Sequence, residues 1–405
     1  MFLPTYDSRP TTHVFEMTEL QSILASLDSP SVLATVVNVE GSAYRQPGAR
    51  MLVRRDGSTV GTISGGCLEA DIIERAWELT AEPGVAFVRY DSRDPNAASA
   101  GLLDDWGFGM GCDGAVDVLL ERIDPLHPPD YLIALRDALE NRRPVVLATL
   151  FARLGKVPIE IGHRTVVDPA THAAEEGSML DFARQTLAAG RSAVSTVDFA
   201  EGSVRVFFEI VQPPPHLLVL GAGHDALPLV RLAAEVGWTI SVCDRRSAMA
   251  TPERFPNASV HAVAAEESLS VLSHPPDAAV IMTHRYPEDV KLLKLLADSA
   301  VRYIGVLGPR HRTERLLKAT ELTLTPDLAS RLHAPIGLDL GADTPQQIAL
   351  AILSEATAAM NGHAGGKLRD KKGRIHEGVC PNSKFEARNS SEIPMTNDQS
   401  SKQIL

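Results

Sequence analysis

His216-Leu217-Leu218-Val219-Leu220-Gly221-Ala222-Gly223-His224-Asp225-Ala226 joins an unbroken apolar run to the pattern G-x-G-x-x-A. The run reads as a buried strand entering a glycine turn, with a helix expected over 225–236. Gly221 permits the tight turn, and Gly223 lets backbone approach a pyrophosphate. The small Ala226 lets the helix pack close to the sheet, its N-terminus facing the phosphates. Asp244 ends the next apolar run, TISVCD, about 20 residues on, where a ribose-binding acid belongs. Arg245 and Arg246 follow it, a pair that also suits a 2′-phosphate, so NAD and NADP both stay open. A sheet that keeps its glycines for packing alone is the competing reading.

Downstream the pattern repeats. DAAVIMT and RYIGVLG read as further strands, PEDVKLLKLLADS as the helix between them, and 345–360 as a last helix opened by Asp343-Thr344-Pro345. Such alternation implies a Rossmann-like, doubly wound parallel sheet with helices on both faces. Thr283-His284-Arg285 ends one of its strands on the side where such sheets bind ligands. Pro213-Pro214-Pro215 cannot continue a central strand and marks the boundary before it. The expected organisation is a mixed α+β domain over 1–212, the Rossmann-like domain over 213–362, and a tail over 363–405. That tail turns to Lys, Asn, Ser and Gly without hydrophobic period and reads as disordered.

The 405 residues include 39 Lys+Arg against 51 Asp+Glu, a formal charge of −12. An acidic chain is poorly suited to nucleic acid, which needs clustered Lys and Arg. No apolar run approaches the roughly 18 residues of a membrane span, and no secretory signal pattern opens the chain. A cytoplasmic protein is expected. The four cysteines, Cys67, Cys112, Cys243 and Cys380, are scattered and show no zinc-ligand spacing, so any role is that of a thiol. Cys243 reads as a small core residue on its strand.

The N-terminal domain holds the unusual chemistry. A helix is expected over 18–27, a strand over 31–42, and a hairpin turning at Asp56-Gly57. A helix opening at Cys67-Leu68-Glu69 follows, then a strand pair over 86–90 and 115–120. Val32-Leu33-Ala34-Thr35 recurs as Val146-Leu147-Ala148-Thr149. At that same offset of 114, Gly48, Arg50 and Val53 meet Gly162, Arg164 and Val167. A degenerate internal duplication is expected, with its second copy from about 130, and a homodimer is compatible with its apolar strand edges. In Ser64-Gly65-Gly66-Cys67-Leu68-Glu69, a cysteine at a helix start would lie in the positive end of the dipole, favouring thiolate. The glycines would leave N–H groups as a nest for an anion, and Arg45 and Arg50 would add positive charge if the loops converge. Gly111-Cys112-Asp113-Gly114 is a second glycine-flanked thiol. From the residues alone, two reactive thiols and two buried small residues are equally good readings.

SVLATVV, GSAYRQPGARMLV, GTISGGCLEADII and GMGCDG together resemble the N-terminal domain of the XdhC/CoxI family. These are accessory proteins of xanthine dehydrogenase and related molybdenum hydroxylases. PPPHLLVLGAGHDALPLV, VCDRR, VIMTHRYPEDVKLL, YIGVLGPRHRTERL and HAPIGLDLGADTPQQIALAILSE are similar to that family's Rossmann domain. The resemblance spans most of 31–360. It implies a protein that binds molybdenum cofactor, of the molybdopterin type, while a cysteine desulfurase supplies its sulfido ligand. The cofactor then passes to the apo-form of a molybdenum hydroxylase, so the protein handles a cofactor rather than turning over a substrate. It makes Cys67 and Cys112 thiol contacts, Gly65 and Gly66 backbone contacts to the cofactor phosphate, and Glu69 a supporting residue. Tyr44 stands where the family usually has Pro, Asp113 where Gly is frequent, and Asp225 where an apolar residue follows the histidine. The last puts a carboxylate near the nucleotide phosphates. The rival reading is an NAD(P)-dependent oxidoreductase with His284 or Arg285 near its substrate, although no Tyr-x-x-x-Lys or His–acid pair announces hydride transfer. A nucleotide-sensing scaffold with structural thiols is the third.

Overall fold

A computed structural model of the chain describes residues 18–41, 43–81, 84–91, 114–168, 178–372 and 380–381. They form two compact units. One takes 27–137, 144–211 and 380–381, and the other takes 18–26, 138–143 and 212–372. A capping box between Thr18 and Gln21 opens α1 (Glu19–Ala25), satisfying N–H groups that have no partner within the helix. Although it precedes β1 in sequence, α1 belongs to the second unit, where Thr18 Cγ2 lies 3.4 Å from the position of a Cβ on Gly237.

In the first unit β1 (Ser31–Gly41), β2 (Arg50–Arg54) and β3 (Thr59–Gly61) precede α2 (Glu69–Leu79), and β4 (Val85–Asp91) and β5 (Gly114–Ile123) follow it. They make an antiparallel sheet of order β3-β2-β1-β5-β4. Beyond α3 (Asp130–Glu140), β6 (Val145–Gly155), β7 (Arg164–Val167), α4 (Ser178–Ala189), β8 (Ala193–Phe199) and β9 (Gly202–Val211) repeat the plan in the order β7-β6-β9-β8. The correspondence extends to the register. β1 bulges between Val36 and Asn38, and β6 between Leu150 and Ala152, the same 114 residues apart.

Strand alternation sends Val32, Ala34 and Val36 against Leu68, Ile72 and Ala76 at α2. The second sheet packs likewise on Leu180 and Ala183 of α4. The opposite faces of the two sheets meet each other. There the two bulge residues, Val37 and Phe151, pack with Leu119 and Phe207 in one small core. Two ion pairs flank it. Arg50 donates two bonds to Glu209, at 2.7 and 2.5 Å. Arg164 Nη1 lies 3.1 Å from Glu121 Oε2 and donates through Nη2 to Thr35 Oγ1 at 3.0 Å. The arginines come from β2 and β7, and Glu121 and Glu209 face Leu33 and Leu147 in register, so each copy's arginine holds the other's glutamate.

The second unit contains β10 (His216–Leu220), α5 (Ala226–Glu235), β11 (Thr239–Cys243), β12 (Ser259–His261), β13 (Ala278–Ile281), α6 (Tyr286–Ala297) and β14 (Tyr303–Val306). It ends with α7 (Arg310–Thr320), α8 (Pro326–Arg331), β15 (Leu332–His333) and α9 (Pro345–Met360). Every pairing is parallel, in the order β12-β11-β10-β13-β14-β15. This is the 3-2-1-4-5-6 order of dinucleotide-binding sheets, whose switch point lies between the first and fourth strands, here β10 and β13. Among the described residues, no helix is long and apolar enough to cross a membrane. Among the described residues of the tail, Leu368–Asp370 form a 3-10 turn, and β16 (Cys380–Pro381) pairs in parallel with β8.

Candidate functional site

Two loop clusters concentrate polar chemistry. The first joins β3 to α2. Gly66 adopts φ +110°, a left-handed conformation that favours glycine, and the loop then closes around the carboxylate of Glu69. Oε1 accepts from the N–H groups of Ser64 at 2.8 Å and Ile63 at 3.2 Å, and from the Thr62 hydroxyl. Oε2 accepts from the N–H groups of Gly66 at 3.1 Å and Leu68 at 3.2 Å, and from the Ser64 hydroxyl. Partial burial alone would raise the Glu69 pKa. The bonds from Ser64 and Thr62 outweigh it and hold the carboxyl at about 2.

This geometry changes part of the sequence reading. The helix begins at Glu69, so Cys67 precedes its cap residue Leu68 rather than occupying the first turn. The glycine nest already holds an anion from within the chain, because Glu69 takes the Gly66 N–H. Among the described residues the N–H groups of Gly65 and Cys67 have no acceptor, and the Cys67 thiol is exposed. Arg50 does not reach this loop; it is buried against Glu209. Tyr44, the neighbour of Arg45, does reach it, its exposed ring lying 3.6 Å from the position of a Cβ on Gly65. Gly65, Gly66, Cys67, Glu69 and Tyr44 therefore lie together at one loop. Cys112 and Asp113 lie outside the described residues.

The second cluster lies at the C-terminal ends of β10, β11 and β13. Gly221 has φ +118°, and a Cβ there would sit 2.5 Å from the Met282 carbonyl oxygen, so the turn requires glycine. Ala226 is buried at the start of α5. Asp244 does not project into open space as a free ribose acceptor. Its Oδ2 accepts from the Ala222 N–H at 2.8 Å and from Arg246 Nη2 at 2.6 Å. Its Oδ1 accepts from the Arg246 N–H and Nε, each at 2.9 Å. Burial pushes against ionisation, but these bonds prevail and hold the carboxyl at about 2. Asp225 Oδ1 crowds the place where a Gly223 Cβ would be, and Oδ2 lies 2.6 Å from His284 Nε2. Arg245 and Arg285 are exposed beside a depression lined also by Leu220, Ala265 and Leu292. Cys243 lies at its floor with its thiol pushed up to about 12 by burial, which makes it inert.

The Asp225–His284 and Asp244–Arg246 pairs are not legible from spacing. The first joins residues 59 apart in sequence, and the second reverses the role that the position of Asp244 suggests. Among the described residues no group of three or more His, Cys, Asp or Glu side chains could hold a metal ion.

Fold and sites thus describe a protein with an exposed-thiol loop in a duplicated antiparallel unit and a Rossmann sheet in a second unit. Residues 25–91 match the XdhC and CoxI family, and residues 217–356 match the XdhC Rossmann domain. The chain is 34% identical over 327 residues to a probable xanthine dehydrogenase subunit of Bacillus subtilis (strain 168). That alignment covers 80% of this chain and 92% of the relative. It is 25% identical over 330 residues to the molybdenum cofactor insertion chaperone PaoD of Escherichia coli (strain K12), covering 81% of this chain and 83% of that one. A crystal structure described as a xanthine dehydrogenase from Bacillus halodurans superposes with a TM-score of 0.66 at 30% identity. It covers 85% of this chain and 96% of its own. The chain belongs to the XdhC and CoxI family.

Proposed function

We propose that this protein is a maturation factor that binds molybdenum cofactor, supports its sulfuration by a cysteine desulfurase and delivers it to a xanthine-dehydrogenase-type molybdenum hydroxylase. The observation that supports this most is the exposed Cys67 thiol on a loop that Glu69 holds in one shape. A thiol that must grip and then release a metal centre needs access on one side and a rigid mount on the other. The open N–H groups of Gly65 and Cys67 suit a phosphate, and Arg45, next to Tyr44, is the cation we assign to it. Gly66 contributes the backbone conformation, Glu69 the mount, and Cys112, flanked by glycines in sequence, a second thiol. The role of PaoD as a cofactor insertion chaperone supports the same reading.

Anaerobic titration of the purified chain with molybdenum cofactor tests it, with Cys67→Ala and Cys112→Ala alongside wild type. Cys67 is exposed, so its loss should leave the fold intact while weakening cofactor retention by about tenfold or more, or roughly 1.4 kcal/mol. Retention by Cys67→Ala equal to wild type would remove the thiol from the site.

A further inference from the structure

We propose that the second unit binds an adenine dinucleotide and selects the 2′-phosphorylated form, NADP over NAD, through Arg245, Arg246 and Arg285. The Cys67 loop and its cofactor play no part in this selection. A carboxylate accepts about four hydrogen bonds. Asp244 accepts four, from the Ala222 N–H and from the Arg246 N–H, Nε and Nη2. A ribose 2′,3′-diol therefore finds no unoccupied lone pair on the residue that would recognise it in an NAD site.

The positive groups around the same depression are differently placed. Arg246 uses Nε and Nη2 on Asp244, and its Nη1 has no partner among the described residues. Arg245 has only Glu288, at 3.8 Å, and the Arg285 guanidinium has no partner among the described residues. All three line one depression with Leu220, Ala265 and Leu292 at the end of the switch-point strands. Apolar walls suit an adenine ring, and planar guanidinium groups at the rim suit a dianionic phosphate. Beside a neutral ribose, the Arg285 guanidinium and Arg246 Nη1 would gain no anionic partner.

Asp225 sets a second, separable term. Its Oδ1 stands over Gly223, on the face where a pyrophosphate would approach, and His284 holds it there. The pyrophosphate enters only when this carboxylate turns aside. That cost is common to NAD and NADP and leaves their ratio unchanged.

Equilibrium binding of NADP+ and NAD+ to the full chain, by calorimetry, tests the proposal, with 2′,5′-ADP and 5′-AMP as shorter probes. NADP+ is expected to bind about tenfold or more tighter than NAD+, and 2′,5′-ADP tighter than 5′-AMP by a similar factor. Arg246→Ala is expected to weaken NADP+ and strengthen NAD+, because it returns two acceptor positions to Asp244. Arg245→Ala and Arg285→Ala, at exposed positions that do not support the fold, are expected to weaken NADP+ alone. Asp225→Asn is expected to tighten both nucleotides by one common factor. NAD+ binding as tight as NADP+ would overturn the proposal. So would the absence of binding by either, at about 5 mM, to both wild type and Asp225→Asn.

Discussion

Arg50→Ala is expected to destabilise the first unit by about 3–5 kcal/mol, because it strands the Glu209 carboxylate in the interior. The side chains of this pair are only 5% and 11% exposed, and the guanidinium donates one bond to each carboxylate oxygen besides one from Nη1 to the Gly48 carbonyl. A cost of this size should lower the midpoint of thermal unfolding by roughly 10 °C. Arg164→Ala is expected to act alike on Glu121, since the two pairs are exchanged between the copies. The double variant Arg50→Met with Glu209→Leu removes both charges and keeps the volume, so it should cost far less than either single truncation. A double variant as unstable as the sum of the single ones would mean zero coupling between the two side chains and would overturn the stranded-charge account.

Glu69→Gln is expected to loosen the Cys67 loop while leaving the sheet in place. The amide keeps one acceptor oxygen and turns an NH2 group toward backbone N–H groups that now meet a carboxylate. Discounted for the half-exposed position, the loss is about 1–2 kcal/mol. It should be read locally, as faster hydrogen exchange at Gly66 and faster alkylation of Cys67. The same carboxylate makes the loop acid-sensitive. Its folded pKa, about 2, lies below the ordinary 4.5, so its contribution is full above 4.5 and is lost as pH falls toward 2. Asp244 titrates in the same range in the other unit. The difference between wild type and Glu69→Gln isolates the loop, and an identical pH profile for the two would dissociate Glu69 from it.

Much of this protein is written locally. Gly221 and Gly223 behind an apolar strand announce a Rossmann sheet because the backbone geometry of that turn excludes side chains. Gly221 does meet a carbonyl oxygen at the distance where a Cβ would collide. The 114-residue echo between Val32–Thr35 and Val146–Thr149 is visible because both strands bury the same faces in the same order. Cys67 beside two glycines also stands out, and it does occupy an exposed loop with Gly65 and Glu69.

Tertiary structure decided which partners the charges take. The place of Arg50 in the chain points toward the thiol loop, but strand alternation turns it into the seam, where it meets Glu209 from 159 residues away. Asp244 stands where a ribose acid belongs, yet Arg246 and the Ala222 N–H close it off. Glu69 fills the nest that the glycines alone would leave open. Apolar periodicity follows from a helix or strand's own geometry and can be read within a dozen residues. A charge is satisfied by whichever opposite group folding brings within about 3 Å, and no local pattern encodes that meeting.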